Sequence, residues 1–234
     1  IKTLPSLSDV LSGRVTVSAV RNLSVEDLLA RPAVGLPSEG ARALVAGRRV
    51  LVTGAGGSIG SELCRQVAAL GPSQLAMLDQ YENGLFAVDL EIADRWPSIP
   101  RALVVASVTD ADRIDGVMRR LRPEIVFHAA AHKHVPLMEA NRCEAVKNNV
   151  VGTRTVAEAA ERHGAARFVL ISTDKAVNPV SVMGATKKVA ERVVQHLAVR
   201  GRTLFVAVRF GNVLNSNGSV VPMFLEQIRR GGPV

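Results

Sequence analysis

Between Arg48 and the end of the chain, short apolar runs alternate with longer segments of helical periodicity. We interpret six of the runs as strands: RVLVTG, LAMLD, ALVVAS, EIVFHAA, RFVLIS and LFVAVRFG. Segments such as SIGSELCRQVAALG separate them and repeat apolar residues at the spacing of an α-helix. This alternation predicts an α/β fold, with a parallel sheet covered by helices on both faces. Only 3% of the residues are aromatic, so the core must consist of Ala, Val, Leu and Ile.

A glycine-rich loop joins the first of these strands to the first helix. Gly54, Gly57 and Gly60 form a G-x-x-G-x-x-G spacing. Gly54 permits a tight turn, Gly57 lets the backbone approach a pyrophosphate, and Gly60 allows close packing of the helix. The helix start at Ser58 and Ile59 offers N–H groups and a positive dipole end to an anion. The loop therefore predicts a dinucleotide-binding, Rossmann-type, doubly wound sheet.

An acidic residue in the predicted second strand indicates which dinucleotide binds. Asp79 ends that strand, 19 residues after Gly60. A carboxylate there would accept hydrogen bonds from the adenosine ribose hydroxyls. Neither Arg nor Lys follows directly in DQYENG, so a 2′-phosphate would meet a carboxylate. We predict NAD as the cofactor and keep NADP as possible; the alternative for Asp79 is a solvated turn residue.

Residues 1–46 have a different character. NLSVEDLLARP offers Ser24 as a helix N-cap and Pro32 as the end of a short helix, with further Pro and Gly around it. We interpret residues 1–46 as an N-terminal arm or linker with short helices and residues 47–234 as the NAD(P)-binding domain. Because the chain begins at Ile1 rather than Met, we expect it to be a piece of a longer protein.

Charge, hydropathy and cysteine usage narrow the class of partners. The formal net charge is +8, but the basic residues are scattered with no run longer than a pair, so we do not expect nucleic-acid binding. A basic surface also suits anionic nucleotides or a lipid face. No apolar run approaches the ~20 residues that span a bilayer, and no signal peptide is evident. Cys64 and Cys143 show no ligand spacing, which favours a reduced, cytoplasmic setting for this piece.

The segment TDKAVNPVSVMGATKK contains the residue types of an active site. Asp174 and Lys175 follow the fifth strand, at the carboxyl end where open α/β sheets bind their ligands. Lys187 lies on the predicted next helix, one turn after Met183. The alternative is an exposed Asp-Lys pair that only caps a helix.

Several motifs carry a resemblance to a known family. The glycine spacing resembles that of the short-chain dehydrogenase/reductase superfamily, in its extended branch that acts on nucleotide sugars. Together, LVTGAGGSIGSELCRQ, FHAAAHKHVPLMEAN, NNVVGT, ISTDKAVNPVSVMGATKK and RFGNVLNSNGSVVPMF resemble the polysaccharide-biosynthesis nucleotide-sugar 4,6-dehydratases. Those enzymes convert UDP-N-acetylglucosamine to a UDP-4-keto-6-deoxy sugar. The resemblance runs from about Arg48 to the end.

The resemblance implies roles for the catalytic segment. The usual base of the superfamily is a Tyr four residues before a Lys; here Met183 takes the Tyr position and Lys187 is kept, as in the long, membrane-anchored forms. Lys175 would remove the C5 proton, and Asp174 would protonate the departing C6 hydroxyl. Thr173 would hydrogen-bond the C4 hydroxyl, and Lys187 would hold the nicotinamide ribose. These roles need pKa values moved toward neutrality, so we expect partial burial of Asp174 and Lys175.

The resemblance also implies further contacts. Ser107 stands where Asp would meet adenine, and Ser216 lies in Asn-Ser-Asn where Gly-Ser-Arg is usual, so a basic diphosphate contact is in doubt. Cofactor contacts are also expected at Val108, Ala129, Ala130, Ala131 and Asn149, and contacts with the UDP-sugar substrate at Lys133, His134, Glu139, Asn212 and Ser216. His128, His132 and His134 share no evident face, so no metal is expected.

Larger-scale expectations follow from the same resemblance. Residues 1–46 are similar to a segment that links membrane helices to the catalytic domain, so the parent is expected to be anchored at the cytoplasmic face of the inner membrane. We expect a homo-oligomer. Extended members continue into a substrate lobe, so this piece is expected to bind the dinucleotide but turn over slowly or not at all.

Two other functions stay open. The first is a nucleotide-sugar C4-epimerase, although epimerases rely on the missing Tyr and have no need of Asp-Lys after the fifth strand. The second is an inert dinucleotide-binding module that senses redox state or scaffolds a complex, which Asp174, Lys175 and Lys187 argue against.

Overall fold

The computed structural model describes residues 2–3, 21–22, 38–213 and 220–233. The strands are β1 (Lys2–Thr3), β2 (Arg21–Asn22), β3 (Arg49–Thr53), β4 (Gln74–Asp79), β5 (Arg101–Val105), β6 (Ile125–His128), β7 (Arg167–Ile171) and β8 (Leu204–Val208). The α-helices are α1 (Ser38–Val45), α2 (Ser58–Ala69), α3 (Glu82–Arg95), α4 (Ala111–Leu121), α5 (Val135–Ala140), α6 (Arg142–Val146), α7 (Thr153–Arg162), α8 (Val182–Arg200) and α9 (Val220–Arg229). A π-helical segment covers Lys147–Gly152, and a 3₁₀ turn covers Asp174–Ala176.

The chain divides into two compact units. The smaller unit comprises residues 1–36 and 213–234; in it β1 pairs antiparallel with β2, and α9 lies near the end of the chain. The larger unit comprises residues 37–212. The short helix predicted after Ser24 lies outside the described residues. The division into residues 1–46 and 47–234 stays a prediction. Val45 of α1 lies before that boundary and packs into the core of the larger unit.

The larger unit contains the predicted parallel sheet of six strands. Their order is β5-β4-β3-β6-β7-β8, and every neighbouring pair is parallel. The chain runs outward from β3 to β5, then crosses back and continues from β6 on the other side. The strand order therefore reverses between β3 and β6, the position where doubly wound sheets bind their ligands at the carboxyl ends. The fold-class prediction is confirmed.

Helices cover both faces of the sheet because its strands are apolar on both sides. Leu51 of β3 packs with Phe168 and with residues of α4, α7 and α8 in one buried cluster. Its neighbours Val50 and Val52 point the other way and pack with residues of α2 and α3. The alternation of side chains along one strand thus supplies two cores.

The helix that carries the candidate catalytic lysine begins at a polar cap. Ser181 precedes α8, and its Oγ accepts a hydrogen bond from Gly184 N at 3.1 Å. Glu139 Oε1 accepts a second one from Val182 N at 2.7 Å. These acceptors satisfy backbone donors that a helix start leaves unpaired, and so they set where α8 begins. In the part of the chain that is described, no helix combines the length and apolarity needed to cross a bilayer.

Candidate functional site

The glycine loop is packed tightly between β3 and α2. Gly54 has φ +72°, and a Cβ there would lie 2.6 Å from Ala130 N. A Cβ on Gly60 would overlap the Gly54 carbonyl oxygen. These two positions have the turn and packing roles that the spacing predicts. The contact of Gly57, Ser58 and Ile59 with a pyrophosphate stays a prediction.

A cavity of about 190 Å³ opens at the carboxyl ends of β3, β4 and β6. The predicted residues Gly54, Gly57, Asp79, Val108 and Ala129–Ala131 line it. Six further residues also line it: Leu78, Gln80, Tyr81, Ala106, His132 and Asn148. Apart from Asn148, these residues lie at the end of a strand or shortly after it. Because parallel sheets bind ligands at the carboxyl ends of their strands, they could have been predicted from the sequence.

Asp79 holds the glycine loop as well as lining the cavity. Its Oδ2 accepts a hydrogen bond from Gly56 N at 2.8 Å, and its Oδ1 accepts one from Tyr81 N at 2.9 Å. A carboxylate oxygen has more than one lone pair, so both oxygens can still accept from a ligand hydroxyl. Ser107 is beside Val108 but is not in the wall, and its hydroxyl pairs with Thr109 Oγ1 at 2.8 Å.

Asn149, predicted to contact the cofactor, is fully buried in the π-helical segment. Its Oδ1 accepts from His132 N at 2.8 Å, and its Nδ2 donates to His132 O at 3.0 Å and to Thr186 Oγ1 at 3.1 Å. The amide therefore binds both the backbone of His132, in the wall of the cavity, and Thr186 of α8. This arrangement favours a positioning role for Asn149, while its neighbour Asn148 faces the cavity.

His128, at the end of β6, is fully buried. Its Nε2 lies 3.0 Å from Thr153 Oγ1, whose single proton goes to Asn149 O at 2.7 Å. Nε2 must therefore carry the ring proton, and Nδ1 accepts from Thr53 Oγ1 at 2.7 Å. Burial lowers the pKa of His128 to about 3, so the ring is neutral. His128 thus connects β3 to α7 by hydrogen bonds. The described residues contain no group of three His, Cys, Asp or Glu side chains able to hold a metal.

Polar side chains converge after β7 and β8. Lys175 Nζ donates to Asp174 Oδ1 and to Asn212 Oδ1, both at 3.1 Å. Thr173 Oγ1 donates to Asp174 Oδ1 at 3.0 Å. Backbone hydrogen bonds fix the segment, since Ser172 N donates to Val208 O and Asp174 N to Phe210 O. The structure therefore brings Thr173, Asp174, Lys175 and Asn212 together.

The prediction that Asp174 and Lys175 are partly buried is wrong in the part of the chain that the structure describes. The side chains are 55% and 39% exposed, respectively. The hydrogen bond from Lys175, followed by that from Thr173, lowers the pKa of Asp174, which is the direction opposite to the one expected. The physical reason is that hydrogen bonds to an exposed carboxylate stabilise its charged form by more than its small desolvation destabilises it.

Lys187 and Met183 lie on α8, and both are 4% exposed. Lys187 Nζ donates to Ile171 O at 2.7 Å, at the end of β7. Burial lowers the pKa of Lys187 to about 8, while the charge of Glu191 opposes this shift. Met183 packs with Met138 and Ala145, so the position of the superfamily's Tyr belongs here to a small apolar cluster.

The remaining predicted substrate residues lie in different places. Lys133 and His134 are exposed just before α5. Glu139 is half-buried and binds the start of α8, which gives it a structural use that the sequence did not reveal. Ser216 lies outside the described residues.

Comparison with known proteins identifies the family. The sequence model of the family described as "Polysaccharide biosynthesis protein" matches residues 50–234. The chain is 50% identical over 235 residues to the probable polysaccharide biosynthesis protein EpsC of Bacillus subtilis, and the match covers 100% of this chain and 39% of that protein. The chain thus spans less than half the length of this relative.

Two kinds of enzyme are found among more distant relatives. A UDP-N-acetylglucosamine 4,6-dehydratase (inverting) of Campylobacter jejuni is 33% identical, with 79% of this chain and 55% of that protein covered. A UDP-glucose 4-epimerase of Rickettsia bellii is 37% identical, with 61% of this chain and 41% of that protein covered.

Solved structures share the fold. The X-ray structure of Pen from Bacillus thuringiensis has a TM-score of 0.72 and 32% identity, covering 79% of this chain and 56% of that one. The dTDP-glucose 4,6-dehydratase DesIV of Streptomyces venezuelae, solved with NAD and TYD bound, has a TM-score of 0.67 and 24% identity, covering 80% and 63%.

Proposed function

Because this chain belongs to the Polysaccharide biosynthesis protein family, we propose that it is the dinucleotide-binding part of an NAD-dependent nucleotide-sugar 4,6-dehydratase. The substrate is UDP-N-acetylglucosamine or a closely similar UDP sugar. One observation carries the proposal: Asp174, Lys175 and Asn212 converge at the carboxyl end of the sheet, beyond a cavity built for a dinucleotide. Epimerisation has no need of an acid–base pair at this position, whereas elimination of water needs both partners.

The residues around the cavity fit NAD. Gly54 and Gly57, the latter directly before α2, line one part of the cavity, and a Cβ on Gly57 would approach the Gly54 carbonyl oxygen at 3.3 Å. Asp79 supplies a carboxylate for the ribose hydroxyls, and no Lys or Arg belongs to the described lining. These features favour NAD over NADP. When bound, the nicotinamide ring supplies the hydride acceptor for sugar C4 and the hydride donor for C6.

The chain's own residues would perform the elimination. A ketone at C4 acidifies the C5 proton, which Lys175 in its neutral form removes. Asp174 in its protonated form gives its proton to the C6 hydroxyl, which leaves as water. Thr173 hydrogen-bonds the C4 oxygen, and Lys187 adds positive charge beside it. Asn212, which already binds Lys175 Nζ, holds the amine in place for the C5 proton.

The exposed Asp174–Lys175 pair must be desolvated before it can act in this way. As long as the pair is exposed, Lys175 donates to Asp174 and keeps the pKa of the carboxyl low. A bound sugar covers both groups and displaces their water, which favours the neutral forms of both. Binding of substrate is therefore part of the chemistry in this proposal.

The test is made on the complete natural protein, because this chain spans only part of its relatives. The protein is incubated in D₂O with UDP-N-acetylglucosamine and NAD, and the product is analysed by mass spectrometry and NMR. We expect loss of one water and deuterium at C5. Lys175→Ala should slow the reaction by about 10²-fold or more, the usual contribution of a general base.

A matched lysine provides the control. Lys147 is exposed and pairs only at 3.7 Å with Glu144, so Lys147→Ala should leave the rate unchanged. An isomer of unchanged mass would identify an epimerase instead. A sugar that stays unchanged, with NAD bound, would contradict enzymatic function on this substrate and favour the dinucleotide-binding module.

We also propose, from the likeness of residues 1–46 to a membrane-proximal linker, that the complete protein is anchored at the cytoplasmic face of a membrane and works as a homo-oligomer. Its partners would then be UDP sugars, with no nucleic acid. Fractionation and light scattering of the complete protein test these two points.

A further inference from the structure

A buried carboxylate on α8 joins the elements that carry the candidate catalytic residues. Glu191 is 2% exposed. Arg209, directly after β8, binds it through two hydrogen bonds, with Nε at 2.8 Å from Oε1 and Nη2 at 2.6 Å from Oε2. Ser172 Oγ, directly after β7, donates to Oε1 at 2.5 Å. One side chain therefore connects α8 with the ends of two strands.

The residues that Glu191 binds adjoin the backbone of the catalytic segment. Ser172 directly precedes Thr173, and its N–H donates to Val208 O at 2.7 Å. Arg209 directly precedes Phe210, whose carbonyl accepts from Asp174 N at 3.1 Å. The ends of β7 and β8 are thus joined twice: by these backbone hydrogen bonds, and by the side-chain hydrogen bonds of Ser172 and Arg209 to Glu191.

Glu191 also lies one helical turn after Lys187. Residues four apart on a helix are neighbours, so the carboxylate is close to the lysine side chain. Lys187 Nζ in turn donates to Ile171 O, the residue before Ser172. The charge of Lys187 adds to the lowering of the pKa of His128 of β6, which burial already keeps neutral. Arg209 is paired with the same carboxylate, with Nη2 at 2.6 Å from Glu191 Oε2.

We infer that Glu191 is a positioning residue of the candidate site: held by Arg209, it fixes the strand end that carries Thr173–Lys175 and places a negative charge one helical turn from Lys187. The catalytic consequence rests on the proposed function. The structural consequence does not, which allows the two to be tested separately.

The electrostatic part has a defined sign. Burial lowers the pKa of Lys187 to about 8, and the charge of Glu191 opposes that shift. Glu191→Gln keeps the shape, removes the negative charge and leaves Arg209 as an unpaired cation. Both changes disfavour charged Lys187, so its pKa falls further. If protonated Lys187 assists the reaction, the alkaline limb of kcat moves to lower pH, by about one unit.

The experiment uses the complete protein in two arms. The first arm measures kcat against pH for wild type and for Glu191→Gln. The second arm measures hydrogen–deuterium exchange by mass spectrometry in peptides that cover residues 172–177. There we expect exchange in Glu191→Gln to be faster by about fivefold, a typical result of losing a charge-assisted contact. Glu158→Gln is the matched control, since Glu158 is exposed and reaches Arg154 only at 4.0 Å.

Each outcome decides one part of the inference. Unchanged exchange in Glu191→Gln refutes the positioning of the catalytic segment, and a lower kcat with an unshifted pH profile refutes the role toward Lys187. If wild type converts no sugar, the proposed function fails, while the exchange arm still decides the positioning. If Glu191→Gln does not fold, Arg209→Gln is used, because its side chain is 46% exposed and its loss leaves Glu191 without its main partner.

Discussion

The Gly60→Ala substitution adds one methyl group and should separate two effects of glycine in this chain: close packing of the loop and low helix propensity. Gly60 lies in the first turn of α2, and a Cβ there would overlap the Gly54 carbonyl oxygen and lie 2.6 Å from Gly54 C and 2.9 Å from Ala55 Cα. All three atoms are backbone, so no side chain can rotate away. The glycine loop itself has to move.

The expected magnitude comes from two opposing effects. Ala is a better helix former than Gly by about 1 kcal/mol. Overpacking a tight contact costs about 3 kcal/mol, the upper end of its usual range, because rigid backbone must shift. Gly60→Ala should therefore destabilise by about 2 kcal/mol and lower the melting temperature by roughly 4–8 °C. Displacement of the loop should also weaken NAD binding by about tenfold or more.

Gly116→Ala is the matched comparison for this variant. Gly116 also lies inside a helix, α4, but a Cβ there would meet no atom within 4 Å. The helix-propensity gain then acts alone, so the melting temperature should rise by about 2–4 °C with NAD affinity unchanged. Thermal unfolding and calorimetric NAD titration of the complete protein check both variants. If Gly60→Ala melts no lower than wild type and binds NAD as well, the packing argument for the G-x-x-G-x-x-G spacing is refuted.

Three further substitutions test other parts of the site. Folding holds His128 neutral with a pKa lowered from 6.5 to about 3, so below pH 6.5 the unfolded chain binds a proton that the folded chain does not, and stability falls. The loss is about 2 kcal/mol by pH 5. The melting temperature of His128→Gln should therefore fall less steeply with decreasing pH than that of wild type; an equal fall in both proteins would contradict this. Gly184→Ala would place a Cβ 2.5 Å from Lys175 O, so turnover should fall more than NAD affinity; equal losses in both would argue against a local effect. Glu139→Ala removes the acceptor for Val182 N and should lower the melting temperature by about 2–4 °C; an altered KM without that drop would support the substrate contact predicted from the sequence.

The sheet was predictable because its signals are local. Alternating Val50, Leu51 and Val52 already indicate a strand with two buried faces, and the Gly54 turn indicates how the chain enters the first helix. Such patterns depend on neighbours in the sequence. They need no knowledge of which distant segments meet.

The contacts that hold the site together were not predictable in the same way. Asn149 and His132 are 17 residues apart, and nothing in NNVVGT indicates that one amide holds both backbone groups of His132. Glu191 follows a pattern of helical spacing that does not indicate its burial, which becomes clear only once Arg209 is placed after the neighbouring strand. The π-helical turn at Lys147–Gly152 likewise has no sequence pattern of its own.

The chemistry of Asp174 and Lys175 is where sequence and structure differ most. Their residue types and their place after β7 suit acid–base catalysis, yet hydrogen bonds from Lys175 and Thr173 favour the charged form of the exposed Asp174, which is the wrong form for the proposed reaction. Lys187, in contrast, is buried, and its pKa is already lowered to about 8 by the fold. In the proposed reaction, the fold itself therefore lowers the pKa of the lysine that would lie beside the cofactor, while the pair that would act on C5 and C6 depends on the sugar to exclude water. In this proposal the site becomes reactive when substrate arrives, because a bound sugar excludes water from both groups and so favours their neutral forms.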